Sequence, residues 1–253
     1  MKLDYASLIS PAPYYLEQAG HIKSPLLRDI FCSGVTYPQY NMYLSLLLTT
    51  PKHYCEKVNP ANADWYQALD EAEKSSLSMY DMILMEPWLQ SSFLRIFQFF
   101  FTEEVVWSEE NQLFLTYGEE PEGTIHRENF STVCDVILQR CYVSRPDTSL
   151  DPAQVTSKKA QAILKKIQAG RKQRTTESSD KDMELPNLIT AIAVKSHSIN
   201  FTNIWDLTIY QLYEQFKREQ SGVYFEIQKM SVAAYGNKEN SFKGNEWYTA
   251  NQA

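Results

Sequence analysis

The side chains best suited to catalysis or metal binding in this chain are four histidines and four cysteines, and their spacing fits neither task. The histidines lie far apart, and none forms the HExxH pattern of a zinc site. No two cysteines form a CxxC pair, and the sequence contains no GxSxG elbow, P-loop or Rossmann fingerprint. We therefore expect no catalytic, metal or cofactor site, and a protein that is not an enzyme. The eight residues are His21, His53, His126, His197, Cys32, Cys55, Cys134 and Cys141.

The composition is that of an acidic protein with ample material for a core. Of 253 residues, 43% are hydrophobic and only 8 are glycine, which argues against a barrel or sandwich rich in tight turns. A net charge of -7 does not suit a general nucleic-acid or membrane-surface binder. Asp4 lies where a secretory signal would be apolar, and no apolar run approaches the length of a membrane span. We expect a protein of the cytoplasm or of an assembled particle.

Hydrophobic periodicity predicts a mainly α-helical fold with one or two small β-hairpins. The first predicted hairpin surrounds Gly20, and the second pairs 104–107 with 113–117. A helix is expected to begin after Ser24 as N-cap, with Pro25 at the first helical position. Further predicted helices span 37–48, 51–58, 65–69, 76–85, 88–101 and 130–141.

Two of these helices define the predicted N-terminal core. The helix 88–101 is apolar nearly all round, which is typical of a helix that is buried on most sides. In the helix 130–141, Cys134 and Cys141 share the apolar face, which favours buried thiols in a reducing compartment. We expect 88–101 to form the centre of this core.

Changes in composition divide the chain into four predicted segments. They are a mainly helical N-terminal domain with β-hairpins (1–143), a charged, partly disordered linker (144–183), a C-terminal helical hairpin (184–235) and a mobile tail (236–253). Within the linker, 158–174 carries seven basic residues and no acid. This strip could contact nucleic acid or an acidic partner, or it could be a solvated helix. The solvated helix is favoured because no aromatic residues interleave with the basic ones. In the tail, Phe242, Trp247 and Tyr248 are candidates to dock on another element.

The clearest helix is predicted at 203–216, with Asn203 as N-cap and Asp206 near the positive end. Spacings of three and four place five apolar side chains on one face: Trp205, Ile209, Leu212, Tyr213 and Phe216. Tyr210 and Tyr224 are expected nearer the surface. These seven residues are the candidate partner-binding set, and the alternative that all of them are internal core stays open. The apolar pattern continues through Val223, Tyr224, Ile227, Met230 and Val232.

Two segments together resemble a known phage family. One is HIKSPLLRDI at 21–30, a short strand that runs into a proline-initiated helix, and the other is NIWDLTIYQLYEQFKR at 203–218, which follows the charged linker. With this layout, residues 1–235 resemble the tail assembly chaperones of long-tailed bacteriophages, whose genes lie between those of the major tail protein and the tape-measure protein. Neither segment is a catalytic signature.

The resemblance implies a helical, non-enzymatic protein of the host cytoplasm that binds no cofactor. Its implied partners are the phage tape-measure protein and the major tail (tube) protein, with self-association left open and no membrane partner. Such a protein helps to deliver tube subunits onto the tape measure and is absent from the mature virion. Two alternatives stay open: a structural tail or baseplate component retained in the virion, and a nucleic-acid-binding protein that uses 158–174.

Overall fold

The computed structural model describes residues 1–32, 34–118, 123–145, 184–237 and 242–248. The chain divides into two compact units, Met1–Pro146 and Asp147–Ala253. The fold is mainly α-helical with two small antiparallel sheets, which confirms the predicted fold class. Nearly all of the predicted linker 144–183, including its basic strip, lies outside the described residues, so its organisation stays a prediction.

Short helices and two small sheets make up the N-terminal unit. Its helices are α1 (Tyr5–Ile9), α2 (Leu27–Phe31), α3 (Tyr37–Leu48), α4 (Pro51–His53), α5 (Ala63–Ala68), α6 (Glu71–Ser76), α7 (Met79–Met85), α8 (Pro87–Phe100) and α9 (Phe130–Arg140). Helix α4 continues as a π-helical turn, Tyr54–Val58, and a 3-10 turn, Pro60–Asn62, follows. The strands are β1 (Tyr14–Leu16), β2 (Gly20–Ile22), β3 (Glu104–Ser108), β4 (Leu113–Tyr117) and β5 (Gly123–Ile125). Strand β1 pairs with β2, and β3, β4 and β5 form an antiparallel meander, so both predicted hairpins are confirmed.

Helix α8 supplies much of the N-terminal core, as its composition predicts. Its buried side chains are Leu89, Phe93, Ile96, Phe97, Phe99 and Phe100. Proline at the first position starts the helix without loss of a hydrogen bond, because the N–H groups of the first turn have no partner within the helix. The first turn also carries Trp88, which is 51% exposed. The helix is therefore buried along most of its length but open to solvent where it begins.

The β1–β2 hairpin is fastened to the chain beyond α8 and to the three-stranded sheet. The Thr102 backbone N–H donates to the His21 carbonyl oxygen at 3.0 Å, and the Thr116 hydroxyl donates to the Ala19 carbonyl oxygen at 2.9 Å. Glycine is needed at Gly123, because a Cβ there would come within 2.5 Å of that Ala19 oxygen. The hairpin therefore lies directly against the sheet backbone.

The carboxylate of Glu103 anchors the same hairpin. Its Oε1 lies 2.6 Å from Nδ1 of His21 and accepts a hydrogen bond from the His21 backbone N–H at 2.9 Å, while Oε2 accepts one from the Thr102 hydroxyl at 3.0 Å. Burial raises the pKa of Glu103, but these hydrogen bonds outweigh burial, so the pKa lies below its usual value. Glu103 therefore stays ionised in the folded protein to a lower pH than an ordinary glutamate.

Replacing this carboxylate is expected to weaken the fold and to change its response to acid. Because the folded-state pKa of Glu103 is lowered, its contribution is present above the unfolded-state pKa of about 4.3 and is lost as the pH falls through the folded-state pKa. Glu103→Gln should therefore cost about 1–3 kcal/mol at neutral pH and much less near pH ~3. Urea unfolding at both pH values measures this, with Glu104→Gln, its exposed neighbour, as control. An equal cost at both pH values would contradict the anchoring role.

Two predicted helix starts in this unit are wrong. Helix α2 begins at Leu27 and not directly after Ser24, because the backbone N–H just before α2 donates to the Asp29 carboxylate and closes the first turn there. The predicted helix 76–85 is instead the end of α6 followed by α7. Ser78 separates the two because its side chain caps the first turn of α7.

The buried guanidinium of Arg140 ties the N-terminal segment to α9. It donates to the carbonyl oxygens of Ser7 at 2.7 Å, Ser10 at 3.3 Å and Ala12 at 2.6 Å. Arg140 is 1% exposed, and burial lowers its pKa from an ordinary value so high that the group stays charged. The side chain thus satisfies the carbonyl groups of a segment that contains little regular structure.

The described part of the C-terminal unit is a helical hairpin with a short terminal turn. Its elements are helix α10 (Leu185–Lys195), a 3-10 turn (Ile204–Asp206), helix α11 (Ile209–Tyr235) and a 3-10 turn (Glu246–Tyr248). Helices α10 and α11 pack against each other. The buried side chains of α10 are Leu185, Leu188, Ile189 and Ile192.

The predicted start of the long helix at Asn203 is wrong. The Asn203 side chain accepts a hydrogen bond from the Asn200 backbone N–H at 2.8 Å, so it closes a loop and does not cap a helix. Thr208 is the N-cap of α11. Its hydroxyl accepts from the Gln211 N–H at 3.1 Å, and the Gln211 side chain accepts from the Thr208 N–H at 3.0 Å. This reciprocal capping box places the first helical residue at Ile209.

Candidate partner-binding surface

The cysteines are mostly core residues. Burial raises the pKa of the Cys134 and Cys141 thiols to about 12, so both stay protonated and behave as small apolar groups. Cys55 is also buried, whereas Cys32 is exposed. Within the described ranges, no group of three His, Cys, Asp or Glu side chains could hold a metal ion. None of the described helices combines the length and the apolar character needed to cross a membrane.

Helix α11 is the longest described element and is buried unevenly along its length. Its 27 residues extend about 40 Å, whereas the 11 residues of α10 extend about 16 Å. The buried residues of α11 all lie in its first two turns: Ile209, Tyr210, Leu212 and Glu214. The second half of α11 therefore reaches well beyond what the shorter helix can cover.

An apolar stripe runs along this second half. Val223, Ile227 and Met230 follow one another at spacings of four and three, so they lie on one face, and Ile227 is 55% exposed. Tyr224 and Tyr235, both exposed, lie beside this face. We call Val223, Ile227 and Met230 the α11 stripe. Large exposed apolar side chains in such an array are typical of an interaction surface.

The α11 stripe continues a seven-residue spacing of apolar side chains that begins near the N-terminus of α11. Tyr213 lies fourteen residues before Ile227, and Phe216 lies seven residues before Val223, so a seven-residue repeat runs along the helix. Both are partly buried, whereas the stripe is exposed. The same repeat is thus partly buried near the start of α11 and exposed farther along the helix.

A groove lies between α11 and the terminal 3-10 turn. It is open to solvent and has a volume of about 1040 Å³. Its lining residues are Gln215, Arg218, Glu219, Gly222, Val223, Phe225, Glu226, Ile227, Met230, Trp247 and Tyr248. The α11 stripe forms part of one wall, and two aromatic side chains of the turn belong to the other. Such a shape suits an amphipathic helix that lays its apolar face into the groove.

The terminal turn is brought to α11 by aromatic contact. The Phe242 ring, just before the turn, lies 5.3 Å from the Phe225 ring of α11. Within the turn, the Trp247 and Tyr248 rings lie 5.2 Å apart in an edge-on arrangement. The described residues of the predicted tail therefore lie against α11, with Phe242 in ring contact with it and Trp247 and Tyr248 lining the groove. Trp247 nevertheless remains 51% exposed, so this wall of the groove is itself largely uncovered.

The structure separates the candidate partner-binding set into three groups. Ile209, Tyr210 and Leu212 are buried, Trp205, Tyr213 and Phe216 are partly buried, and Tyr224 is 60% exposed. The expected surface position of Tyr210 is wrong, because the residue is only 3% exposed. The buried side chains at this end span about 200° of the helix circumference, so the helix is enclosed on more than one face. Binding of a partner by the set stays a prediction.

The exposed apolar side chains of this helix lie farther along it than most of the candidate set. The sequence shows the apolar pattern through Val223, Ile227 and Met230, but it does not show whether these side chains are covered. With 11 residues, α10 is too short to cover these residues, and the length of a helix depends on where its loops begin. The second wall, at Trp247 and Tyr248, comes from a separate segment.

Comparison with protein families gives one match in the C-terminal part of the chain. Residues 174–251 match the family model described as YomV second domain. This is a phage-derived family, and the match indicates a phage protein. The matched range contains α10, α11 and both walls of the groove. No curated protein and no solved structure matches the chain.

Proposed function

We propose that this phage protein is a tail assembly chaperone that binds the tape-measure protein and promotes assembly of the tail tube. The observation that carries the proposal is the exposed, apolar groove of α11, which lies within the range that matches a phage family. The resemblance of 21–30 and 203–218 to tail assembly chaperones also supports this function. The protein would act by binding alone, without catalysis or a cofactor.

The physical task fits a groove of this kind. A tape measure is a long helix whose apolar stripes are liable to aggregate until tube subunits cover them. A groove that binds the apolar face of an amphipathic helix would shield such a stripe from solvent. Because tube subunits must displace the chaperone, each contact should be weak enough to dissociate rapidly. The groove is open to solvent and has charged side chains beside its apolar wall, which is consistent with a transient contact.

The proposed function also implies where and when the protein acts. It would bind the tape measure in the host cytoplasm, meet the major tail protein as tube subunits arrive, and be absent from the mature virion. Two measurements test this. Tape-measure protein co-expressed with the tagged chain should become more soluble and co-purify with it, and mass spectrometry of purified virions should find the chain missing or at trace level. Failure to co-purify, or stoichiometric copies in virions, would contradict the proposal.

A charge placed on the α11 stripe should reduce capture. Ile227→Glu puts a carboxylate into the apolar wall, and burial of that charge against a partner is costly. We expect at least a tenfold loss of tape-measure capture, which corresponds to about 1.4 kcal/mol. Val194→Glu is the matched control, since Val194 is an exposed aliphatic residue of α10 that does not line the groove. Equal capture by both variants would place the contact elsewhere.

A further inference from the structure

The groove carries two carboxylates beside its apolar wall. Glu219 and Glu226 both line it and lie seven residues apart, about 10 Å along the helix axis. Glu219 accepts a hydrogen bond from the neutral Gln215 side chain at 3.1 Å. Glu226 contacts Lys229 at 3.3 Å, and both partners are more than half exposed, so a competing cation can replace this weak pair.

The basic group that also lines the groove is already neutralised. The Arg218 guanidinium donates to the Glu214 carboxylate at 3.1 Å, and the Glu214 side chain is only 5% exposed. This partner is fixed in the helix hairpin, so Arg218 is held by a buried acid. The groove therefore presents apolar surface together with two available negative charges.

We propose that the occupant of this groove is an amphipathic helix whose apolar stripe is flanked by basic residues at a seven-residue repeat. This inference rests on the proposed function and specifies the chemistry of the partner at the same site. A repeat of seven returns a side chain to the same face of a helix, so lysines or arginines one heptad apart would meet Glu219 and Glu226 in turn. Such charge pairs determine orientation and choice of partner more than total affinity.

A second copy of this chain suits the groove poorly. In an antiparallel pair of α11 helices that share the stripe, Glu219 and Glu226 of one copy would face the same acids of the other. Like charges at facing positions destabilise a helix pair. In a parallel pair, the facing positions would be Tyr224 and Ser231, which carry no positive charge. The charge pattern therefore favours a basic partner over self-association.

Two synthetic three-heptad peptides with the same leucine seam test the inference against the full-length chain. One carries lysine and the other glutamate at the positions that flank the seam. We expect the lysine-flanked peptide to bind about tenfold more tightly by fluorescence anisotropy, and added salt to reduce this preference. The double variant Glu219→Lys, Glu226→Lys should reverse the preference. The control, Glu110→Lys, Glu128→Lys, changes the net charge equally at exposed sites of the N-terminal unit and should keep it.

Several results would overturn the inference. Equal binding of the two peptides would do so, as would an unchanged preference in the double variant or an equal loss in the control. A dimer of the wild-type chain that excludes both peptides would assign the groove to a second copy. Capture of tape-measure protein separates this inference from the proposed function. Undiminished capture by the double variant refutes the inference alone, whereas a lysine preference without any capture by the wild-type chain refutes the proposed function alone.

Discussion

Phe97→Ala is expected to lower the free energy of unfolding of the N-terminal unit by about 3–5 kcal/mol. Phe97 is fully buried in α8 and lies within a group of phenylalanine rings. The centroids of four other rings lie between 5.0 and 6.1 Å from its own: Phe93, Phe101, Phe114 and Phe130. Truncation would leave a cavity among rings that come from α8, the residue after it, β4 and α9, and these elements cannot all close around it. Urea unfolding followed by circular dichroism measures the loss.

Two variants control this experiment. Trp88→Ala removes a larger side chain from the exposed start of the same helix and should cost about 0.5 kcal/mol. Because domains are stable by only about 5–15 kcal/mol, Phe97→Ala could prevent folding altogether. Phe97→Leu retains most of the volume and should cost about 1–2 kcal/mol. Similar losses for Phe97→Ala and Trp88→Ala would show that the core is not centred on this helix.

Helices that are buried on one broad face were predictable, because the apolar residues that recur at helical spacing are the ones that the fold buries. The bounds of α3, α8 and α9 follow the apolar residues closely. Start signals were less reliable, since several residues near each helix can serve as caps. At the start of α11, both Asn203 and Thr208 have suitable side chains, and only the loop geometry decides that Asn203 bonds to Asn200.

Features made by distant segments could not be read from the sequence. Arg140 follows an apolar helix face and would ordinarily reach solvent, yet its hydrogen-bond partners lie 128 to 133 residues away in the chain. Tyr210 is adjacent to the apolar face of α11 and not on it, but enclosure of this end of the helix buries it. The groove likewise needs Trp247 and Tyr248 to approach α11. The spacing of residues within one segment does not predict contacts between segments that are far apart in the chain.

Blocking the groove at Gly222 is expected to reduce tape-measure capture by at least tenfold. Gly222 lines the groove, and a Cβ built at this position meets no atom within 4 Å beyond its neighbours and the backbone of its own helix, so a new side chain would enter open space. Gly222→Trp would occupy the volume that a partner helix needs, without displacing any core residue. Gly222→Ala is the matched control, because it adds a single methyl group and improves helix propensity by about 0.5–1 kcal/mol.

The most direct test is the amount of tape-measure protein that co-purifies with the wild-type chain, Gly222→Ala and Gly222→Trp after co-expression. Circular dichroism should first show equal helicity for all three. We then expect wild-type capture with Gly222→Ala and a loss of at least tenfold, about 1.4 kcal/mol, with Gly222→Trp. Undiminished capture by a folded Gly222→Trp protein would contradict the claim that this groove binds the partner.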